Sequence, residues 1–575
     1  MKRFIPALIV IIILGAWIYL DVVRDRNEEV EALPIVPVAS ISDPASLDSA
    51  WYCPVGTRDV GGFADNQVNI SNLADTEALA KVTVLTGDGI GSSQELELAP
   101  NSSQSVKASE VDPLAEGESN LAAMQVEITG GNGAVTHIVD TEVGTTEATC
   151  STRASESWYF ATGRVKEGSK SYIALMNPFA ESISVDVSLQ DYESVRSREV
   201  EAWQGLIIFG NSVRLLELHE APGLGGREHL GAVIKTRSGR IIAERLQIVD
   251  EIANDEDGEE PLEDEVSSDD EEPAEDEDED PDQEENSDDG LKVLGASLQL
   301  GAQNPSTDWF FTAGRVNKGD SHLITIYNPA ANNNLESFDE NVADVLLEIW
   351  PTNPDDKDEF VFFPISREVR AGNLSVVDLN NEVRRLGFPV PFDFSIQVKS
   401  QNGIPVVAER WQFANQIQDG PGLSELDFNI EEPQLGDYVE PVVSEDENPN
   451  SPNSMTNGLA TSNGIDFLPN SAWVVPWIST PTSDSTWLTI YSFENETEIL
   501  VEYETSTGTQ ELPVTIPRMN GRVFVSVPVL STGSSTSGGS IKINSNKDVY
   551  VEAQVISEEI NDVVMAVPVI KTIKK

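Results

Sequence analysis

A tryptophan-led pattern occurs twice in this chain in nearly the same words. Trp158-Tyr159-Phe160-Ala161-Thr162-Gly163 leads to an apolar run closing on Asn177-Pro178, and the block ends Val-free at Ile242-Ala243-Glu244-Arg245-Leu246-Gln247. Trp309-Phe310-Phe311-Thr312-Ala313-Gly314 leads to Asn328-Pro329 and then to Val407-Ala408-Glu409-Arg410-Trp411-Gln412. The Trp-to-Asn interval is 19 residues in both. A looser copy opens at Trp473, reaches Ser492 after the same 19 residues and closes on Tyr550-Val551-Glu552-Ala553-Gln554. The most diverged copy opens at Trp51-Tyr52-Cys53-Pro54 and lacks the closing Glu-Arg. Self-similarity on this scale demands repeated structural units.

Each unit reads as β. Ser184 to Leu189 alternates polar and apolar, as a half-buried strand does. Val213 to Leu218 and Gly231 to Thr236 have strand composition, and Ser238-Gly239 is a turn signal before Ile241 to Ile248. About seven short strands per copy predict an all-β chain of tandem immunoglobulin-like β-sandwiches. The expected domains are 50–150, 157–249, 291–415 and 471–560.

Between them lie two stretches of different composition. Asp250 to Gly290 holds 25 Asp and Glu and no Lys or Arg, too few apolar residues to offset ordering entropy, and predicts a disordered acidic linker. Residues 416–470, rich in Asn, Pro, Ser and acid, predict a second linker, and 561–575 a tail. At the N-terminus, Met1-Lys2-Arg3 precedes the uncharged run Phe4 to Leu20, long enough at about 1.5 Å per residue for a short transmembrane helix. Bulky residues stand where a cleavage site needs small ones, so residues 1–21 are expected to be an uncleaved single-pass anchor with its head inside. Residues 22–49 then form a stalk, and the C-terminal bulk is extracytoplasmic. The only two cysteines, Cys53 and Cys150, bracket the first unit and predict one disulfide in an oxidising compartment.

The net charge is −62, and subtracting the 25 charges of the acidic stretch still leaves −37. A surface of that sign repels nucleic acid, whose binding rests on Lys and Arg neutralising phosphates.

The recurring residues carry the structural expectations. Trp51, Trp158, Trp309 and Trp473 are expected as core anchors whose ring N–H finds a partner. Asn177 and Asn328, each before a Pro, are expected as strand-end punctuation. Glu244, Glu409 and Glu552 are the residues of most interest. Strand period puts Glu409 on the face of Val407 and Trp411 and sends Arg410 to the other, so a buried Glu has no obvious partner in its own strand. It either accepts bonds from its own domain's backbone or opening Trp, or belongs to a ligand or metal site.

No Gly-x-Ser-x-Gly, His-Glu-x-x-His, phosphate loop or Cys-x-x-Cys occurs, and the four His fall at unrelated places in the repeats. No catalytic residue, cofactor or metal is expected. The pattern Trp-Tyr-Phe-Ala-x-Gly, Asn-Pro, Val-Ala-Glu-Arg resembles an uncharacterised repeat of exported, actinobacterial-type proteins, a domain of unknown function. That resemblance implies a cell-envelope location and supplies no catalytic residues. The expected role is a non-catalytic, membrane-anchored adhesion or scaffold protein, with cell-wall glycan or an envelope protein as partner. An accessory subunit of a glycan-synthesis or export complex, and a carboxylate-dependent hydrolase, are the competing readings.

Overall fold

A computed structural model describes residues 37–41, 48–59, 62–192, 198–253, 291–316, 321–329, 341–351, 362–388, 392–414, 458–466, 469–476, 485–505, 508–528, 540–556, 561–564 and 567–568. The N-terminal apolar run lies outside them. Among the described residues no helix is long and apolar enough to cross a membrane.

The first repeat sets the plan with eight strands: β1 (Asp48–Cys53), β2 (Asp65–Asn72), β3 (Ala78–Thr86), β4 (Gly89–Leu98), β5 (Ser103–Lys107), β6 (Ala123–Thr129), β7 (Gly133–Thr141) and β8 (Gly144–Thr149). They form two antiparallel sheets in the orders β1-β6-β3-β4 and β5-β2-β7-β8. The alternation seen in the sequence is what lets each sheet turn one face inward. In Ile183–Asp191 of the second repeat, Ile183, Val185, Val187 and Leu189 are buried and the residues between the first four are partly exposed. All four Trp side chains are buried to 1% or less, as core anchors must be. The predicted disulfide joins Cys53 at the end of β1 to Cys150 just past β8.

The same two orders recur in all four repeats. In the last, the single strand Ile541–Ile556 serves both sheets. The sandwich expectation is met, but the strand order is not the immunoglobulin one. There the sixth and seventh strands pair in one sheet. Here the sixth pairs with the first and third, and the seventh with the second.

The expected beads on tethers are corrected most strongly. Each repeat ends in a hairpin whose second arm is an axial strand: β8, then Leu291–Leu300, Gly458–Asn463 and Asn561–Val564. Each axial strand packs against that of the next repeat, and the fourth packs against the first. The circuit is closed, so the four sandwiches stand around a common axis.

Residues placed in the linkers therefore belong to the ring. Ile242–Ala253 pairs with Leu291–Leu300 up to Ala253 opposite Leu291. The acidic stretch thus joins the two arms of one hairpin rather than two separate modules; its residues 254–290 lie outside the described ones. Likewise Gly458–Asn463, expected in the second linker, pairs with Val407–Ala414. Residues 415–457 lie outside the described ones. Part of the expected stalk is core, since Ala39 and Ile41 are buried with Trp51. Part of the expected tail is sheet, since Val567 pairs with Val474.

Neighbouring repeats also share cores. The residue after each Trp points away from its own sandwich. Tyr52 packs on the core of the second repeat, Tyr159 lies in that of the third, Phe310 in that of the fourth and Val474 in that of the first. Phe310 stacks on Tyr550 with ring centroids 4.8 Å apart. These contacts are laid down by one rule applied four times, and the fourth application closes the ring.

Candidate functional site

The repeated carboxylates lie at the junctions, and each serves the repeat before its own. Glu244 Oε2 accepts the backbone N–H of Val55 at 3.1 Å. Glu409 Oε2 accepts from Thr162 N at 2.6 Å and from Thr162 Oγ1 at 2.8 Å. Glu552 Oε2 accepts from Ala313 N at 3.4 Å and from Thr312 Oγ1 at 2.9 Å. Val55, Thr162 and Ala313 each stand four residues after their Trp. The carboxylate thus satisfies the N–H left free where the opening strand ends in the first two repeats and bulges, between Phe311 and Gly314, in the third. Such a group would be costly to bury alone.

The arginines complete the junction from the other side. Arg245 donates to the Thr162 carbonyl of its own repeat and reaches Glu409 Oε2 at 3.3 Å. Arg410 donates to the Ala313 carbonyl and to Glu552 Oε1, the latter at 2.5 Å. Glu and Arg adjacent in one strand do point apart, as strand period requires, and each finds its partner in a different repeat. Burial pushes the Arg245 guanidinium below its ordinary pKa while Glu409 pulls it back up. Both side chains are almost fully buried, at 1% and 0%. A buried ion pair of this kind costs about 3–5 kcal/mol to break from one side, because the other charge is left stranded.

The first repeat uses an imidazole where the second and third use a guanidinium. His137 lies opposite Val68, four residues before Asn72, and Arg245 lies opposite Ile173, four before Asn177. His137 is therefore the counterpart of Arg245, and its Nε2 meets Glu244 Oε1 at 2.9 Å with both side chains fully buried. The Glu position of this repeat is Thr136, which donates to Glu147 Oε1 at 2.6 Å. In the fourth repeat the Arg position is Ala553, opposite Leu488, four before Ser492. Thr136 and Ala553 face the same seam, between the fourth repeat and the first. The Glu–Arg pair is therefore missing from this seam, which Lys542 crosses instead, donating to Leu73 O at 3.3 Å and Asn101 Oδ1 at 3.1 Å.

A second, smaller ladder runs along the axis. Thr146 Oγ1 accepts the N–H of Leu298 at 3.0 Å, and Ser297 Oγ, its counterpart, accepts that of Thr461 at 3.1 Å. Gln299 Nε2 then donates to Asn463 Oδ1 at 2.9 Å. A cavity of about 50 Å³ lies beside these strands, lined by Thr149, Gln299, Asn463 and Glu552 among others. It has room for one or two waters.

The remaining predicted residues fall inside the sandwiches. Trp158 Nε1 donates to Ile241 O at 2.9 Å, Trp309 Nε1 to Val406 O at 2.8 Å and Trp473 Nε1 to Val549 O at 3.0 Å. Trp51 Nε1 donates to Ser49 Oγ at 3.3 Å. The asparagines do more than end a strand. The Asn177 amide donates to the carbonyls of Glu181 and Phe209 at 2.8 and 3.0 Å while its Oδ1 accepts from Phe179 N. Asn328 makes the matching bonds to Asn341 O and Val369 O, tying one sheet to the other. Sequence reasoning missed His137 and the Trp-plus-four positions. The constant Trp-to-Asn interval was the signal that fixes their alignment.

Among the described residues no group of three or more His, Cys, Asp or Glu is placed to hold a metal ion. No protein-family model matches the chain, and no curated protein matches it. Two solved structures are weakly similar. One is the tetra-tandem repeat in the extending region of a large adhesion protein, at 9% identity, covering 91% of this chain and 100% of that one, with a TM-score of 0.08. The other is a glycoside hydrolase of family 32 from Bifidobacterium adolescentis, at 9% identity, covering 89% and 99%, with a TM-score of 0.12. At these scores neither defines the fold. The fold and junctions define a class by themselves: a closed ring of four interlocked all-β repeats.

Proposed function

We propose that this chain is a non-catalytic scaffold or adhesion protein of the cell envelope, anchored by the run Phe4 to Leu20 and held outside the membrane. The observation that carries the reading is where the recurring residues go. Trp, Asn, Glu and Arg are used up inside sandwiches and at junctions, so what the repeats have in common is a rigid frame. Recognition then belongs to the surfaces in which the repeats differ. The Cys53–Cys150 disulfide supports an oxidising compartment. The exported repeat family that the Trp, Asn-Pro and Glu-Arg pattern resembles supports the same location. A ring of fixed geometry presents four surfaces at once, which favours a polymer or a large partner over a small molecule.

The test is retention of the purified full-length protein on cell-wall polymers, beside mass spectrometry of what co-purifies from solubilised envelopes. Retention on glycan supports adhesion. A co-purifying membrane synthase without glycan retention would replace this reading with an accessory subunit, and turnover of the glycan would replace it with a hydrolase.

A further inference from the structure

We propose that one end of the ring rests on a lipid bilayer surface, and that Phe179, Ile207 and Phe209 of the second repeat make the contact. This rests on the reading of Phe4 to Leu20 as an anchor.

The ring has two distinct ends. At one, β7 turns into β8 at Thr141–Gly144, and the other hairpins turn at the same place in their repeats. At the other, the chain enters from the N-terminal side. Thr152 N donates to Val38 O at 3.1 Å, Ser151 Oγ to Val38 O at 3.2 Å and Ser40 N to Thr152 Oγ1 at 3.3 Å. The stalk is therefore docked just past the end of β8, away from the hairpins. Residues 21–36 separate Leu20 from this entry point, and that length of chain reaches at most about 50–60 Å. The entry end is the one that a membrane anchor holds toward the bilayer.

Phe179, Ile207 and Phe209 lie at that end, beside the close of the Asn177 strand. They are 39%, 50% and 64% exposed, a local apolar surface that folding leaves uncovered. The other repeats show that the fold does not require these side chains. Phe179 N and Phe209 O bond the Asn177 amide as Ala74 N and Ala99 O bond that of Asn72. By the same alignment Ile207 corresponds to Glu97 in the first repeat. In the third repeat, Ile207 and Phe209 become Glu368 and Arg370, flanking the carbonyl of Val369 that Asn328 holds. In the fourth repeat the counterparts of Phe179, Ile207 and Phe209 are Glu494, Thr515 and Pro517, and in the first Ala74, Glu97 and Ala99. Only the second repeat therefore carries large apolar side chains at these places.

Charge changes with it. The turn between the sixth and seventh strands reaches the same end, and in the second repeat it reads Arg237-Ser238-Gly239-Arg240, with both arginines exposed. In the first repeat that turn is Gly130-Gly131-Asn132, and in the third it begins Gln401-Asn402-Gly403. Arg237 is paired with Asp186 at 2.7 Å, which leaves Arg240 as the exposed cation beside this apolar surface at the end where the stalk enters. Aromatic and aliphatic side chains that enter the headgroup boundary, with cations beside them, are what an interfacial membrane contact uses.

The experiment uses full-length protein in phosphatidylcholine vesicles. Both native cysteines are tied up in the disulfide, so a single introduced cysteine takes an environment-sensitive fluorophore. F209C is compared with A99C, its counterpart in the first repeat, and with V143C at the hairpin end. The expected result is a blue-shifted label at 209, quenched several-fold more by spin-labelled lipid than the label at 143, with A99C between or equal to 143. A label at 209 as aqueous as that at 143, in protein that still floats with the vesicles, would overturn the contact while leaving the anchor. Protein that fails to float would overturn both. Shielding of the 209 label in native envelopes but not in vesicles would overturn the lipid contact in favour of a protein partner.

Discussion

Glu409 of the third repeat accepts the backbone N–H of Thr162 in the second at 2.6 Å, across 247 residues of sequence. The bond recurs at equivalent positions, from Glu244 to Val55 and from Glu552 to Ala313. It makes the second, third and fourth repeats each complete the one before. A sandwich whose opening strand ends in a buried, unbonded N–H is unfinished by itself, so the four repeats are parts of one cooperative unit rather than passengers on a common chain.

The seam between the fourth repeat and the first should be the weakest. It has Thr136 and Ala553 where the other junctions set a Glu against Arg245, Arg410 or His137, and its shared-core residue is Val474 where the others place Tyr or Phe. Hydrogen exchange should therefore be faster in the opening strand Asn470–Val475 than in Ser157–Phe160 or Asp308–Val316. Equal protection would mean that the seam is held by contacts of other kinds.

Reducing the Cys53–Cys150 bond should destabilise the first repeat by about 4–5 kcal/mol, the loop-closure entropy expected for a separation of 97 residues. Because Tyr52 also packs on the second core, the loss should reach the second repeat in the same thermal transition. Melting with and without reductant, followed by exchange at Trp158, checks both.

Acid should act on the third repeat through His322. Burial, with the Arg410 guanidinium adding repulsion, pushes this imidazole down to about 3. Its unfolded value is about 6.5, so between those values the unfolded chain binds a proton that the folded one refuses. Stability is then complete above about pH 6.5 and falls as pH drops toward 3, by up to about 1.4 kcal/mol per unit. Denaturant midpoints at pH 7 and pH 4.5 should differ less in His322→Asn than in the parent.

Much of the sandwich was legible because it is local. Alternation at Ser184 to Leu189, the Ser238-Gly239 turn and a buried Trp158 are each set within a few residues. The ring was not, because no single strand carries it. Period placed Glu409 and Arg410 on opposite faces, and it could not say that the opposite faces belong to different repeats. Asn177 reads as a turn residue in sequence, whereas its three bonded carbonyl and amide groups come together only when the sheets close. A run of acid such as 254–290 has the same composition whether it joins two modules or two arms of a hairpin. The pairing of Ala253 with Leu291 decides between them.

The interlock itself is tested most directly by a double-mutant cycle between Arg245 of the second repeat and Glu409 of the third. Arg245→Met, Glu409→Gln and the double variant would be compared by equilibrium denaturation. The closed ring predicts that each single change costs about 3–5 kcal/mol and that the double costs less than their sum by about 1–3 kcal/mol. Additivity within about 0.5 kcal/mol would mean that the two repeats do not meet there, and would return the molecule to independent modules on a string.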